Sequence, residues 1–542
     1  MPTRARRAEG RSAADVRILF TTSNGTGLGH LARAMAIARR LPGDVEPVIF
    51  TLSAAAPVVA QMGLRVEYLP SYRMPASGSD WQWNMRLRHR LEELIDELEP
   101  DALVFDGVHP YRALTHVLTA RPDLPAIWIR RPMWRPGKGK AALSRSGAFN
   151  AVLEPGELAS AEDRGATVAR SDEAIAVDPI TYLDGEEMLD RQSAARELKL
   201  DPGQVNALVA LGQGAGLDAT VARSLERLSA AEGVRVVALE SSLAGGLEIP
   251  PGVVHLRSRF PLARYYRAFD FAISAAGYNA FHELLAAGVP TLFVPMRRQS
   301  DDQAARARWA QESGSGLGVD SADSPQLEQR LDELLLPQRR AELTSAAEAL
   351  ASRNGAAEAA RTVAGLVGGG PRARPNPLRR WITYSAHPVG PSLPIAAALL
   401  YRQLRARPEL GKPQAAVLAL GAAELSASEL TSALSEAFAE LGEDHGRILV
   451  LTDSLEFRAL RELGCGFEYI PGPAEAAAVA DADYERFLRR RLIEVLRGRR
   501  PRRAVSLDPA RSELAAAIEA SPRRRRRLLV NADESPPSPL PA

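Results

Sequence analysis

The chain has 542 residues, too many for one hydrophobic core, so two or three domains are expected. Its formal charge of +2 gives no case for a nucleic-acid-binding protein. The basic residues are nearly all arginine, with Lys only at 138, 140, 199 and 412, a pattern of GC-rich coding more than of a phosphate-binding surface. A single cysteine, Cys465, excludes an internal disulfide framework and fits a reducing, cytoplasmic setting, and no apolar run approaches the ~18 residues a bilayer span needs.

Residues 1–14 are basic and polar with no apolar core, a disordered start and not a signal peptide. From 15 to 185, strand-like and helix-like runs alternate. VRILFTT, EPVIFTL, RVEYLP, ALVFD and PAIWIRR read as strands; HLARAMAIARRL, APVVAQMG and MRLRHRLEELIDELEP read as helices. That order predicts an α/β domain with a doubly wound, Rossmann-like parallel sheet. A second domain of the same kind spans 186–366, with strands ALVAL, VRVVALE, GVVHLRS, FDFAISAA and TLFVPM.

Residues 367–380, VGGGPRARPNPLRR, form a linker by their Gly, Pro and Arg content. Beyond it, 381–532 reads as a degenerate copy of the first domain. LGCGFEYIP at 463–471 echoes MGLRVEYLP at 62–70, and the run ending at Asp508 echoes the run ending at Asp106. ITYSAHPVGPSLPIAAALL at 382–400 lines up loosely with ILFTTSNGTGLGHLARAMA at 18–36. The tail 533–542 is disordered by composition.

Three stretches carry chemistry. In SNGTGLGHLARA, Gly25, Gly27 and Gly29 let the backbone turn sharply and approach a ligand, at a helix N-terminus that favours negative charge. His30 stands in the first turn of that helix and titrates near neutrality; its alternative is a capping histidine without chemistry. Asp106 ends a strand on the same sheet edge. It either hydrogen-bonds the far ring nitrogen of His30 and fixes its tautomer, or caps the next helix through the turn DGVHP.

In ALVALGQGAGLD, Gly212, Gln213, Gly214 and Gly216 offer backbone amides to a diphosphate, or form a plain strand-to-helix turn. In 274–303, Gly277 lies in a small-residue turn. Asn279 and Glu283 are four apart and share one helix face, and Asp302 and Gln303 follow the strand TLFVP. The plainer reading of this stretch is an ordinary βαβ unit with a polar loop. In these stretches no Asp-x-Asp and no His or Cys clustering points to a metal.

Some residues read as structural. Tyr265, Tyr266 and Phe269 have core spacing, and His282 faces away from Glu283. Trp81, Trp83, Arg86, Arg88 and Arg90 read as a solvated helix face, with a weak contact to an anionic membrane or lipid-linked acceptor as the alternative.

The run SAAGYNAFHELLAAGVPTLFVPMRRQSDDQ resembles the donor-site signature of the GT-B glycosyltransferases, especially the branch of the lipid-linked N-acetylglucosaminyltransferase of peptidoglycan synthesis. The resemblance implies two facing Rossmann-like domains, the first for the acceptor and the second for a nucleotide-sugar donor. It implies an inverting, metal-independent transfer from a UDP-sugar to a hydroxyl, with no cofactor and an acceptor of unknown class.

By the same resemblance His30 takes the acceptor proton and Asp106 assists. Glu283 holds the ribose hydroxyls, Asp302 and Gln303 grip the sugar, and Phe260 lies against the base. Ala275 stands where many members carry arginine. Competing readings are a non-hydrolysing sugar-nucleotide epimerase of the same fold, which needs more cleft carboxylates, and an inactive binding or scaffold protein.

Overall fold

Seven runs in the first third of the chain form strands: β1 (Val16–Thr22), β2 (Val45–Thr51), β3 (Arg65–Tyr68), β4 (Ala102–Asp106), β5 (Ala126–Ile129), β6 (Ala151–Pro155) and β7 (Ala174–Val177). In the computed structural model they pair in parallel in the order β3-β2-β1-β4-β5-β6-β7. β4 is buried at every residue, as expected of a strand covered by helices on both faces. The strand order reverses between β1 and β4, so the loops after these two strands part and leave a crevice. The described residues are 16–23, 28–72, 74–75, 77, 79–212, 217–240, 249–257, 259–350, 353–368, 413–477, 484–496, 499, 501–520 and 528–529.

The second sheet repeats the plan with β8 (Val205–Ala210), β9 (Val234–Leu239), β10 (Val254–Leu256), β11 (Phe271–Ala275), β12 (Thr291–Val294) and β13 (Leu317–Gly318). Its order is β10-β9-β8-β11-β12-β13, again parallel, with the reversal between β8 and β11. The helix Tyr278–Ala286 starts at that reversal. Its closing helix, Ala356–Gly368, leaves the second domain and packs on the first helix (Gly29–Ala38) and on β4. The boundary expected at 366 is therefore not a spatial one. Apolar burial against the first domain outweighs sequence order there.

The third sheet holds β14 (Ala415–Ala419), β15 (Ile448–Thr452), β16 (Gly466–Tyr469) and β17 (Arg503–Ser506) in the order β16-β15-β14-β17. This is the arrangement of β3-β2-β1-β4. β16 takes the place of β3, as the echo of 62–70 in 463–471 implies. The pairing of 382–400 with 18–36 does not hold. Ala415–Ala419 occupies the β1 position, in register with β15 and β17, and 382–400 lies outside the described residues. Asp508 lies two residues past its strand and accepts from the Ala510 amide, a local turn contact.

The helix Asp80–Leu98 begins with a capping box, Ser79 and Gln82 each bonding the other's backbone amide. Its basic, aromatic residues do not form one solvated face. Trp83 and Arg90 are buried, Arg86 bonds the Ser77 carbonyl, and only Trp81 stands well exposed. A membrane-facing patch built on all five residues is thereby ruled out, because the third domain covers part of it. No helix among the described residues is long and apolar enough to cross a membrane.

The first two domains are tied by buried polar contacts. Tyr278 donates to the Gly156 carbonyl (2.8 Å) and accepts from the Ile180 amide (3.1 Å). Arg306, wholly buried, bonds Glu157 of the first domain (2.8 Å) and Asp301 of the second (2.7 Å). His282 accepts from the Leu158 amide (3.2 Å), so the residue read as packing also joins domains. Arg306→Met would leave the buried Glu157 without its arginine and Asp301 with Arg131 alone. It should lower stability by about 3–5 kcal/mol in urea unfolding.

Candidate functional site

The two strand reversals face each other. The first helix starts at Gly29, which is therefore a helical residue and not part of the glycine loop; a Cβ there would meet nothing within 4 Å. Its carbonyl accepts from Asn279 Nδ2 of the helix Tyr278–Ala286 at 3.3 Å, so the N-terminal ends of the two helices adjoin. Gly25, Gly27, Gln213, Gly214 and Gly216 lie outside the described residues.

His30 and Asp106 meet. His30 Nδ1 lies 2.7 Å from Asp106 Oδ1, and Asp106 is almost fully buried. Asp106 does not cap the following helix. Its second partner is Arg33, whose Nε reaches Oδ2 at 2.8 Å and whose Nη2 reaches Oδ1 at 2.5 Å. Burial alone would raise the Asp106 pKa, but Arg33 and the His30 hydrogen bond more than offset it and hold it below the usual range.

An ionised Asp106 assigns the tautomer: Nδ1 carries the hydrogen, and the 3.1 Å approach of Arg33 Nη2 to Nδ1 is proximity between two donors. Nε2 is then the free lone pair, with no hydrogen-bond partner among the described residues. Burial lowers the His30 pKa, Asp106 pushes it up, and Arg33 and Arg131 push it down. The net direction is down, so the imidazole is neutral at neutral pH. The guanidinium of Arg33 also lies over the Tyr278 ring, 5.3 Å from its centroid. Arg33 is the residue that sequence reading missed. It follows His30 by three on one helix face, the one signal that pointed to it.

On the donor side, Gly212 lies two residues past β8 with φ of +78°, a left-handed conformation that favours glycine. Gly277 is the N-cap of the helix Tyr278–Ala286, close to Gln303; a Cβ at Gly277 would lie 3.8 Å from Gln303 Nε2. Phe260 and Glu283 gather around a residue not anticipated from sequence, Tyr182 of the interdomain connection. The Phe260 and Tyr182 rings are 4.7 Å apart, and the Tyr182 backbone amide bonds the Glu283 carboxyl. Glu283 is largely buried, 9% exposed. Burial pushes its pKa up to about 7.

Asp302 and Gln303 are also committed. Asp302 caps the helix Gln303–Glu312 by accepting from the Ala305 amide (3.2 Å). Gln303 is buried, accepting from the Met296 amide (2.9 Å) and donating to Asp301 (3.1 Å). Gln303 has both ends of its amide engaged, whereas Asp302 accepts through Oδ1 alone and is partly exposed. The charged group of this loop is Asp301, which sits between Arg131 (3.1 Å) and Arg306 (2.7 Å). Burial would raise its pKa, but the two arginines bring it down to about 2.

The same loop is clasped by the first domain. Trp134 and Asp301 form an antiparallel bridge, Asp302 N–H donates to the Met133 carbonyl and Arg135 N–H to the Ser300 carbonyl, both at 2.9 Å. Arg131 and Asp301 gave no separable signal in sequence, because tandem Arg and tandem Asp leave open which member turns inward.

Residues 258–363 match the glycosyltransferase family 28 C-terminal domain. That span contains Phe260, Gly277, Asn279, Glu283, Asp302 and Gln303. This places the chain among the glycosyltransferases. It is 29% identical over 326 residues to the UDP-N-acetylglucosamine–N-acetylmuramyl-(pentapeptide) pyrophosphoryl-undecaprenol N-acetylglucosamine transferase of Mycobacterium sp. (strain KMS), covering 56% of this chain and 83% of the relative. The enzyme of the same name from Clavibacter michiganensis subsp. michiganensis is 28% identical over 379 residues, covering 65% and 98%. The crystal structure of Acinetobacter baumannii MurG aligns with a TM-score of 0.43 at 16% identity, over 64% of this chain and 99% of that one.

Arg33 competes with His30 for the Asp106 charge. Arg33→Met should therefore move the His30 titration upward, read from the imidazole Cε1–H shift in an NMR pH series.

Proposed function

We propose that this glycosyltransferase is inverting and metal-independent, and that it moves a sugar from a UDP-sugar to an acceptor hydroxyl. One observation carries the reading: the neutral His30, oriented by Asp106, stands at the junction where Asn279 joins the two helix starts. Nε2 removes the hydroxyl proton as the oxygen attacks the anomeric carbon from the face opposite the leaving group. The resulting imidazolium is stabilised by Asp106 through Nδ1–H. The oxygen–carbon bond forms as the bond from the anomeric carbon to the diphosphate breaks, and the diphosphate departs with its electron pair.

The run Gly212-Gln213-Gly214, of which Gly212 alone is described, is the proposed cradle for that diphosphate. Backbone amides there favour the charge that grows as the bond breaks. Glu283 takes the ribose diol, beside Phe260 for the base. Donor binding then has to displace the Tyr182 amide from Glu283, exchanging one hydrogen bond for two. The UDP specificity follows the relatives' names, and their acceptor is lipid-linked; for this chain the acceptor class is left to experiment.

Donor hydrolysis and transfer across UDP-, dTDP- and GDP-sugars test the reading. His30→Ala should lower kcat by about 10² to 10⁴ while donor affinity survives, and EDTA should leave turnover unchanged. Full activity in His30→Ala would sink the assignment of the base. A second outcome concerns Glu283. An ionised carboxylate accepts both diol hydrogens, so donor affinity measured by calorimetry should rise as pH climbs through about 7. Glu283→Gln should remove that rise.

A further inference from the structure

The first two domains are joined unevenly across the width of their sheets. At the centre, the reversals between β1 and β4 and between β8 and β11 adjoin through Asn279 and Gly29. On the flank of β6 and β12 the tie is Arg306, in the helix after β12, on Glu157, just past β6, at 2.8 Å. On the flank of β3 and β9 the two domains are bridged by the third.

The third domain rests on the first over several elements. β16 lies against β3, and the helix Tyr484–Val495 against the helix Asp80–Leu98. The ring of Tyr68, on β3, is 4.8 Å from that of Phe457 and 5.8 Å from that of Phe467. Arg490 bonds Glu97 at 2.7 Å. The contact with the second domain comes one residue after Phe457, in the helix Phe457–Glu462: Arg458 Nη2 donates to Glu240 Oε1 at 2.9 Å. Glu240 directly follows the carboxyl end of β9, and His255 Nε2 lies 3.1 Å from its other oxygen. Two consecutive residues of one short helix therefore touch two different domains.

The ties on the two flanks differ in burial, and so in what parting them costs. Arg306 and Glu157 are 0% and 1% exposed, and separating them leaves Glu157 buried without its arginine. Arg458 is 47% exposed and also bonds Glu462 of its own helix at 2.8 Å. On leaving Glu240 it keeps that partner and gains water, while Glu240 keeps His255. We propose that the third domain is a releasable latch: it is seated on the first domain and holds the second through Arg458 and Glu240, so that the two part on the β3 and β9 flank only when this bond breaks. The inference does not depend on the catalytic reading.

Pulsed electron spin resonance on the full chain reads the separation of the two domains. Spin labels on Gln61→Cys in the first domain and Glu232→Cys in the second occupy exposed positions, and the single native cysteine, Cys465, is buried and stays unlabelled. With Arg458 in place the labels should give one narrow distance distribution. Arg458→Glu sets two like charges face to face, so the distribution should broaden and its mean lengthen. Glu240→Gln, which removes the charge from the other side, should shift it in the same direction. Hydrogen-exchange protection of β3 and β16 should be unchanged in both variants, because the third domain keeps its seat on the first. An Arg458→Glu distribution that superimposes on that of the unaltered protein would overturn the proposal, as would loss of β3 and β16 protection in that variant.

Discussion

Asp106 ends a buried strand with both oxygens engaged, and the chemistry of the cleft follows from how its charge is divided. Arg33 takes two hydrogen bonds and His30 one. Without Arg33, His30 alone would be left to balance the buried carboxylate, which would hold a proton on the imidazole. With Arg33, the carboxylate stays ionised but spends much of its field on the guanidinium. His30 thus receives an acceptor that fixes its tautomer without a full counter-charge that would keep it protonated. A base must be deprotonated before it can act, and this division leaves it so at neutral pH.

The position of the pair is a consequence of topology. In each of the first two sheets the chain reverses between its first-entered strand and the strand beside it, and the polar residues collect at that reversal. The two reversals are then held together by groups that are expensive to bury singly: Arg306 with Glu157 and Asp301, and Tyr278 with Gly156 and Ile180. A network of this kind adds little net stability but penalises any arrangement that leaves a member unpaired. It therefore fixes the relation of the two domains at these contacts.

Much of this was legible before any coordinates. The apolar runs that became β1, β2, β4, β8, β11 and β12 are short, bounded by turn residues and buried, so local pattern and final structure agree. Asp106 was legible because a carboxylate ending such a run has no apolar reason to be there. What local pattern could not show was competition for a side chain by distant segments. Glu283 and Asn279 share a helix face as their spacing requires, yet the backbone of Tyr182, a hundred residues earlier, lies against Glu283 while Asn279 reaches the Gly29 carbonyl. Asp302 and Gln303 were placed on the right loop, but their hydrogen bonds go to the Ala305 amide, the Met296 amide and Asp301. Residues 382–400 imitate the composition of a first strand and glycine loop; register with β15 and β17 selects Ala415–Ala419 instead.

The third domain shows how the same topology can lose the chemistry. The turn after β14 presents the amides of Gly421 and Ala422 at the reversal beside β17, where an anion would be received. Asp453, one residue past β15, fills that position: its carboxylate accepts from Gly421 at 2.8 Å and Ala422 at 2.9 Å. In the first domain the aligned residue is Leu52, which has no charge to offer. At the β17 end, Asp508 bonds its own turn where Asp106 bonds His30 and Arg33. A carboxylate moved onto the amides and another withdrawn into a turn thus satisfy the third copy internally. The third domain meets the first through β16, the helix Tyr484–Val495 and Phe457, whose ring lies 4.8 Å from that of Tyr68, and it meets the second through Arg458 on Glu240.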